Sequence, residues 1–270
     1  MTTTRSDVQE TIKALALENK VLFVHSSIRS FGHLDGGPDT LFDALLEAGC
    51  TLVVPTFNYD TLCLPPNGDP YRQNGYRGAL QLEDTVTFCG DENRLEPSMG
   101  AISKALLHRP DRIRSTHPIC SYAALGPHAE AILSKQTNDD IYGLYACDEA
   151  KDALVISMGV PLTTITPIHY AEQLAGRNLL RRWAKTYTRG IVETSVGSCS
   201  EGFNKFAPLL NEISQQAKVG HSTWTAYPLQ ALVQTCANAI KTTPTITHCG
   251  DEKCYRCADM EQGGVVRGHN

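Results

Sequence analysis

His169-Tyr170-Ala171-Glu172 sets an imidazole and a carboxylate three residues apart. On a helix that spacing puts both on one face. The carboxylate can then accept a hydrogen bond from one ring nitrogen, which fixes the tautomer and leaves the other nitrogen free to take a proton. Such a pair can deprotonate an amine or hydroxyl nucleophile. His-x-x-Glu also arises by chance as a surface ion pair, so its setting decides between the two readings. Here Thr166-Pro167 reads as a helix start. The preceding ALVISMGV run at 153–160 reads as a buried central strand. Open α/β sheets hold their ligands just beyond the C-terminal ends of such strands.

The elements that must carry this pair alternate along the chain. Residues 7–17 read as an amphipathic helix capped by Ser6. KVLFVH at 20–25 has strand character, breaks at Ser26-Ser27, and is followed by Gly32, Gly36-Gly37 and a helix over 39–47. A second strand at 51–54 closes at Pro55. That strand–helix–strand order predicts a parallel pair with a crossover helix. Further helices are expected at 100–107, near 127–135, and over 202–217 and 229–241, with a loop or short strand at 112–117 and a strand or hairpin arm at 184–194. The alternation supports an α/β fold with a mixed, largely parallel central sheet.

Residues 57–99 break the pattern. They hold turn formers, the acids Asp60, Asp69, Glu83, Asp84, Asp91, Glu92 and Glu96, the cations Arg72, Arg77 and Arg94, and Tyr59, Tyr71 and Tyr76. A loop of this length is usually functional, and an acidic, aromatic one could face a cationic ligand. A solvated surface insertion explains it equally well.

Two segments could hold an anion. In His25-Ser26-Ser27-Ile28-Arg29, hydroxyls, backbone N–H groups and a guanidinium gather after a strand, a setting that suits a phosphate or a pantetheine-type chain. A plain strand-to-helix turn is the competing reading, since neither a Walker loop nor a dinucleotide fingerprint is present. In Arg112-Ile113-Arg114-Ser115-Thr116-His117-Pro118, two arginines precede hydroxyls. Ser121 follows. His117 before Pro118 reads more readily as a structural, hydrogen-bonded imidazole than as a catalytic one.

Four blocks in order now carry a resemblance: VLFVHSSIRSFGHLDGG at 21–37, TLVVPTFN at 51–58, RIRSTHPICSYAALGPHA at 112–129 and VISMGVPLTTITPIHYAEQLAG at 155–176. Over about residues 15–240 the chain resembles the aminoglycoside 3-N-acetyltransferases, the antibiotic N-acetyltransferases associated with antibiotic resistance. The resemblance implies a three-layer α/β/α fold and an acetyl-CoA-dependent N-acyltransferase that acts on an amine. It maps the family's His–Glu pair onto His169 and Glu172, and sets Thr56 near the reaction centre. It places His25, Ser26, Ser27 and Arg29 on a first CoA-contacting loop and Arg114, Ser115, His117 and Ser121 on a second block. The expected partners are an acyl-CoA and a small amine acceptor, an aminoglycoside or a similar amine. The chain is expected to be a single acyltransferase domain over 1–270, with an acidic insertion at about 57–99 and a Cys-rich C-terminal segment at about 246–260. Ile165-Thr166 stands where the family usually has Asn-Thr, which leaves acceptor and acyl chain open.

The chain has 10 cysteines. Cys50, Cys63, Cys89, Cys120, Cys147, Cys199 and Cys236 are scattered and read as reduced thiols, several of them core filler. His248, Cys249, Cys254 and Cys257 cluster closely enough to hold a structural zinc, although the spacing is cramped and a set of reduced thiols on a turn is the simpler reading. Residues after Glu261 are expected to be disordered.

The formal charge of -5, with both signs mixed, gives no basic field for nucleic acid. The N-terminus is polar and no apolar run reaches membrane-spanning length, so a cytoplasmic protein with no nucleic-acid or membrane partner is expected. The oligomeric state is open, a dimer included. Two other functions compete: a zinc-dependent hydrolase using His169 and Glu172 as ligands, and a non-catalytic CoA-binding relative.

Overall fold

The computed structural model describes residues 2–66, 74–75, 85–90 and 93–262. Asp69, Tyr71, Arg72, Tyr76, Arg77, Glu83, Asp84, Asp91 and Glu92 of the acidic insertion, and the chain after residue 262, lie outside the described residues. In chain order the strands are β1 (Thr2–Thr3), β2 (Val21–Ser26), β3 (His33–Leu34), β4 (Thr51–Pro55), β5 (Leu62–Cys63), β6 (Ile113–Arg114), β7 (Tyr122–Leu125), β8 (Leu154–Met158), β9 (Leu180–Thr186), β10 (Gly190–Val196), β11 (Gln215–Val219) and β12 (Ser222–Pro228). The helices are α1 (Arg5–Ala14), α2 (Gly37–Glu47), α3 (Gly100–His108), α4 (Ala129–Leu133), α5 (Pro167–Leu174), α6 (Ala207–Asn211), α7 (Leu229–Thr242) and α8 (Tyr255–Gln262).

Strand alternation builds the layers. Leu22 and Val24 of β2 join Leu52 and Val54 of β4 and Ile156 of β8 on one face, against Ile12, Leu41 and Leu106 from α1–α3. Phe23, Val53 and Val155 point the other way, into a core with Ile132, Ile168, Leu210 and Leu232 from α4–α7. Neighbouring residues of one strand thus serve opposite cores, as the pleat requires. A mixed sheet lies between two helical layers, in agreement with the sequence reading.

The main sheet runs β11-β12-β8-β2-β4-β7-β6. Parallel pairing is confined to its centre, where β2 lies between β4 and β8. The outer pairings, β4–β7, β7–β6, β8–β12 and β12–β11, are antiparallel. The flanks are hairpin-type additions rather than further crossover units, so parallel pairing does not extend across the sheet. The central triplet matters for the site because β2, β4 and β8 end on the same side.

Two sequence expectations change. Thr4, not Ser6, caps α1: its hydroxyl takes the Asp7 N–H while the Asp7 carboxylate takes the Thr4 N–H. The helix expected over 202–217 stops at Asn211, and residues 215–219 form the edge strand β11. The apolar spacing Phe203, Phe206, Leu210 mimics a longer helix, but pairing with β12 decides the conformation of Gln215–Val219.

A second sheet, β10-β9-β5, carries the hairpin β9–β10. The insertion is fastened to it through β5 and through Phe88, which bridges to Thr186. No helix among the described residues is long and apolar enough to cross a membrane.

Candidate active site

The central parallel strands end in a cleft of about 1340 Å³. Pockets for one drug-sized ligand run to roughly 1,000 Å³, so this one has room for two reactants. His25 and Ser26 close β2 in register with Ser157 and Met158 of β8. Together with Ser27 and Arg29 they line one wall. Pro55 and Phe57 come from the end of β4, and Arg94, Glu96 and Lys104 border the insertion side. Gly197, Ser198 and Ser200 follow the β9–β10 hairpin, and Arg182 and Arg256 also line the cleft.

The His169–Glu172 pair stands on α5, which begins with Pro167 and buries most of its surface. His169 Nδ1 lies 2.7 Å from Glu172 Oε2. An ionised carboxylate only accepts, so Nδ1 carries the hydrogen, and in the neutral ring Nε2 is the nitrogen with the lone pair. His169 lines the cleft and is 9% exposed; Glu172 lies behind it at 1%. No described residue hydrogen-bonds Nε2. The ring is held edge-on by Phe203, with centroids 4.7 Å apart.

Residues that the sequence reading missed complete the pair. Ser198 Oγ donates to Glu172 Oε2 at 2.8 Å, with Oε1 at 3.1 Å. Arg177 Nη1 reaches Glu172 Oε1 at 3.2 Å and Thr247 Oγ1 at 2.6 Å, and Nη2 donates to Pro244 O. The guanidinium offsets the cost of burying the carboxylate charge. Both carboxylate oxygens accept from protein donors, and the ring nitrogen nearest Glu172 faces that carboxylate directly. Among the described residues, the group able to hold a metal is made of cysteines elsewhere, so the zinc-hydrolase reading finds no ligand set at this pair. Arg177 lies three residues past the end of α5, after the Gly176 turn, so helical spacing did not point to it. Ser198 carried no local signal.

Gly197 packs directly on the ring. A Cβ there would lie 2.8 Å from His169 Cδ2 and 2.8 Å from the Tyr142 hydroxyl, closer than real contacts allow. Gly197→Ala is expected to displace the imidazole and lower kcat about 10- to 100-fold, the scale of an ångström-size misplacement. Steady-state kinetics checks this; a wild-type kcat would show that the ring position is not critical.

Thr56, Arg114, Ser115, His117 and Ser121 are placed behind the cleft, not on its surface. Thr56 is 0% exposed, and its hydroxyl donates to Ser121 O at 3.1 Å. Arg114 Nη2 donates to the carbonyls of Thr56 at 3.1 Å and Arg94 at 2.9 Å, and Nε to Ser121 Oγ at 3.1 Å. Ser115 Oγ accepts from Tyr122 N at 2.8 Å and donates to Gln136. His117 Nδ1 accepts from the backbone of Ile119 and Cys120, and Nε2 faces Thr194 Oγ1 at 2.6 Å. Thr56, Arg114 and Ser121 bond one another, Ser115 and His117 bond neighbouring residues, and none of the five lines the cleft; for His117 this is the structural, hydrogen-bonded role. They fix the loops carrying Phe57 and Arg94.

His25 differs. It is buried, yet it lines the cleft, and its Nε2 has no partner. That nitrogen is sealed from the cleft by the surrounding protein. Burial pushes both His25 and His117 from 6.5 down to about 3. A depressed folded value means that the unfolded chain binds more protons below pH 6.5. The stability from keeping these rings neutral is complete above that pH and is lost as pH falls from there toward 3. The thermal midpoint is therefore expected to drop between pH 7 and pH 5 in calorimetry; a flat profile would contradict neutral burial.

The cysteine cluster also changes membership. Cys199, Cys249, Cys254 and Cys257 bring their sulfurs within 4.8 Å of one another. His248 is not among them; its ring turns toward the Glu261 carboxylate.

Comparison with known proteins agrees with this architecture. The family model for aminoglycoside 3-N-acetyltransferase matches residues 23–241. The chain is 32% identical over 183 residues to aminoglycoside N(3)-acetyltransferase IX of Micromonospora chalcea, covering 64% of this chain and 62% of that protein. It is 31% identical over 184 residues to aminoglycoside N(3)-acetyltransferase VII of Streptomyces paromomycinus, covering 64% and 61%. The matched part thus spans about three-fifths of these curated relatives. In fold, the chain resembles the apoenzyme of aminoglycoside acetyltransferase AAC(3)-IVa with a TM-score of 0.77 and 24% identity, over 97% of this chain and 98% of that one. The YokD protein of Bacillus subtilis gives a TM-score of 0.75 at 20% identity, over 91% and 96%. With the family model spanning most of its length, this chain belongs to the aminoglycoside 3-N-acetyltransferase family.

Proposed function

We propose that this protein transfers an acetyl or related acyl group from acyl-CoA to an amine of an aminoglycoside or a similar amino compound. The observation that carries the reading is the His169 ring: Nδ1 is held by Glu172, and Nε2 is unpaired on the wall of a cleft large enough for both reactants. Cations suit the anionic cofactor. Arg29 and Lys104 are exposed at the cleft and have no ion-pair partner among the described residues. Ser26 and Ser27 lie on the same wall, where a pantetheine chain could hydrogen-bond. Glu96 supplies a carboxylate for a cationic acceptor on the insertion side.

The chemistry follows from the acceptor's protonation. An ammonium has no lone pair for attack, so it must lose a proton first. Nε2 takes that proton, directly or through a water, and the free amine attacks the thioester carbonyl. The tetrahedral adduct gives its remaining ammonium proton to solvent and collapses with loss of the CoA thiolate, which the protonated imidazole neutralises. Transfer is direct. Cys120 also lines the cleft, but burial pushes its thiol up to about 12, leaving little thiolate for an acyl-enzyme route.

The test is thiol release from acetyl-CoA with a panel of aminoglycosides and simpler amines, with mass spectrometry of the product. Acceptor-dependent thiol release and an N-acetylated product are expected. Binding of acetyl-CoA with no amine-dependent release would instead favour the non-catalytic relative.

A further inference from the structure

We propose that Cys199, Cys249, Cys254 and Cys257 form a structural zinc site that also holds the His169–Glu172 pair in place. Four sulfurs within 4.8 Å of one another are close to the geometry of a zinc tetrathiolate, whose sulfurs lie about 3.8 Å apart for Zn–S bonds of ~2.3 Å. None of the four is in a disulfide. Thiolate ligands select zinc over harder cations. The local backbone suits the purpose. Gly250, with φ +94°, turns the chain after Cys249, and Cys254 N closes a turn onto Asp251 O. Cys257 lies on α8, two residues beyond the helix start. Cys199 comes from the far end of the β9–β10 hairpin, so a metal would clamp two segments distant in sequence. Metal binding of this kind is folding energy for the clamped segments.

Those two segments also carry the support of the dyad. Ser198, which precedes Cys199, donates to both oxygens of Glu172. Thr247 and Pro244, shortly before Cys249, accept from Arg177, the cation paired with Glu172. The segments meet elsewhere as well. Lys205 Nζ donates to His248 O at 2.7 Å, and a Cβ on Gly202 would lie 2.2 Å from Thr247 O. Without the clamp, Ser198 and Arg177 lose a common anchor and Glu172 loses its fixed orientation. Ser198 and Arg177 are thus positioning residues, and the metal sets their spacing. Only the kinetic arm below rests on the acyl-transfer reading; the metal arms stand apart from it.

The full chain is purified reduced in zinc-containing buffer and its metal measured by mass spectrometry. About one zinc per chain is expected, and cobalt(II) in its place should show the visible d–d absorption of a tetrahedral thiolate site. Cys199→Ser and Cys254→Ser should lose the metal, while His248→Ala should keep it. Metal-free wild type, or metal retained by Cys199→Ser but lost by His248→Ala, would overturn the four-cysteine site. Since the serine variants can fail to fold, wild-type protein stripped by a chelator and then reloaded provides the second arm. Stripping should abolish the downfield imidazole N–H proton signal that is absent from His169→Gln, with circular dichroism unchanged and reloading restoring the signal. It should also lower kcat about 10- to 100-fold with little change in acyl-CoA affinity. An unchanged proton signal in stripped protein would overturn the link to the dyad. Absence of turnover in zinc-loaded wild type with that signal intact would count against the acyl-transfer reading alone.

Discussion

His169→Gln should lower kcat about 100- to 10,000-fold, the usual contribution of a positioned general base, while acetyl-CoA binds with near wild-type affinity. Glutamine approximates the length of the imidazole but offers no basic nitrogen. The attacking amine then depends on water for deprotonation. The ring borders the cleft through one edge only, with Phe203 and Gly197 covering much of the rest, so the substitution removes little binding surface. The cationic wall at Arg29 and Lys104 is untouched. Thiol-release kinetics and calorimetric binding of acetyl-CoA separate the two effects. A loss of affinity that matched the loss of rate would assign His169 to binding instead.

Glu172→Ala is expected to damage stability and turnover together. The carboxylate is 1% exposed and satisfies three partners: His169, Ser198 and Arg177. Its removal leaves the Arg177 guanidinium buried without its anion, a change that costs about 3–5 kcal/mol where buried pairs are broken. The imidazole also loses the acceptor that sets its tautomer. Urea denaturation should show a loss of that order, and kcat should fall, though less than in His169→Gln because the imidazole remains. A second substitution, Arg177→Met, separates the causes. With both charges gone, much of the stability should return while activity stays low, because nothing orients His169. Recovery of activity in the double variant would show that Glu172 acts only through the fold.

The parts of the site that were legible share a local signature. His169 and Glu172 lie one helical turn apart, and the pattern of Pro167 and the preceding apolar strand announces where that turn sits. The β2–α2–β4 unit is equally local, since its apolar runs and glycine turns alternate in order. What could not be read depends on distant chain segments. Ser198 meets Glu172 only because the β9–β10 hairpin returns its end to α5. Cys199 joins the C-terminal cysteines by the same return, and was read as an isolated thiol for that reason. Conversely, His248 sits beside Cys249 in sequence but turns away from it in space. Residues 215–219 lack the alternation of a half-buried strand, being mostly polar at a sheet edge, so only pairing with β12 reveals them. Arg114 carried the right chemistry for an anion but spends it on backbone carbonyls, whereas His117 before Pro118 is the hydrogen-bonded structural imidazole its sequence setting favoured.

In the proposed mechanism the unpaired Nε2 of His169 removes the proton from the attacking amine. The most direct measurement is thiol release by His169→Ala in the presence of added imidazoles of graded basicity. A base at that position predicts a slow variant whose rate rises with added imidazole and rises further with the basicity of the series. A variant that turns over at the wild-type rate without any additive, or a slow one whose rate ignores the basicity of the added imidazole, would contradict it.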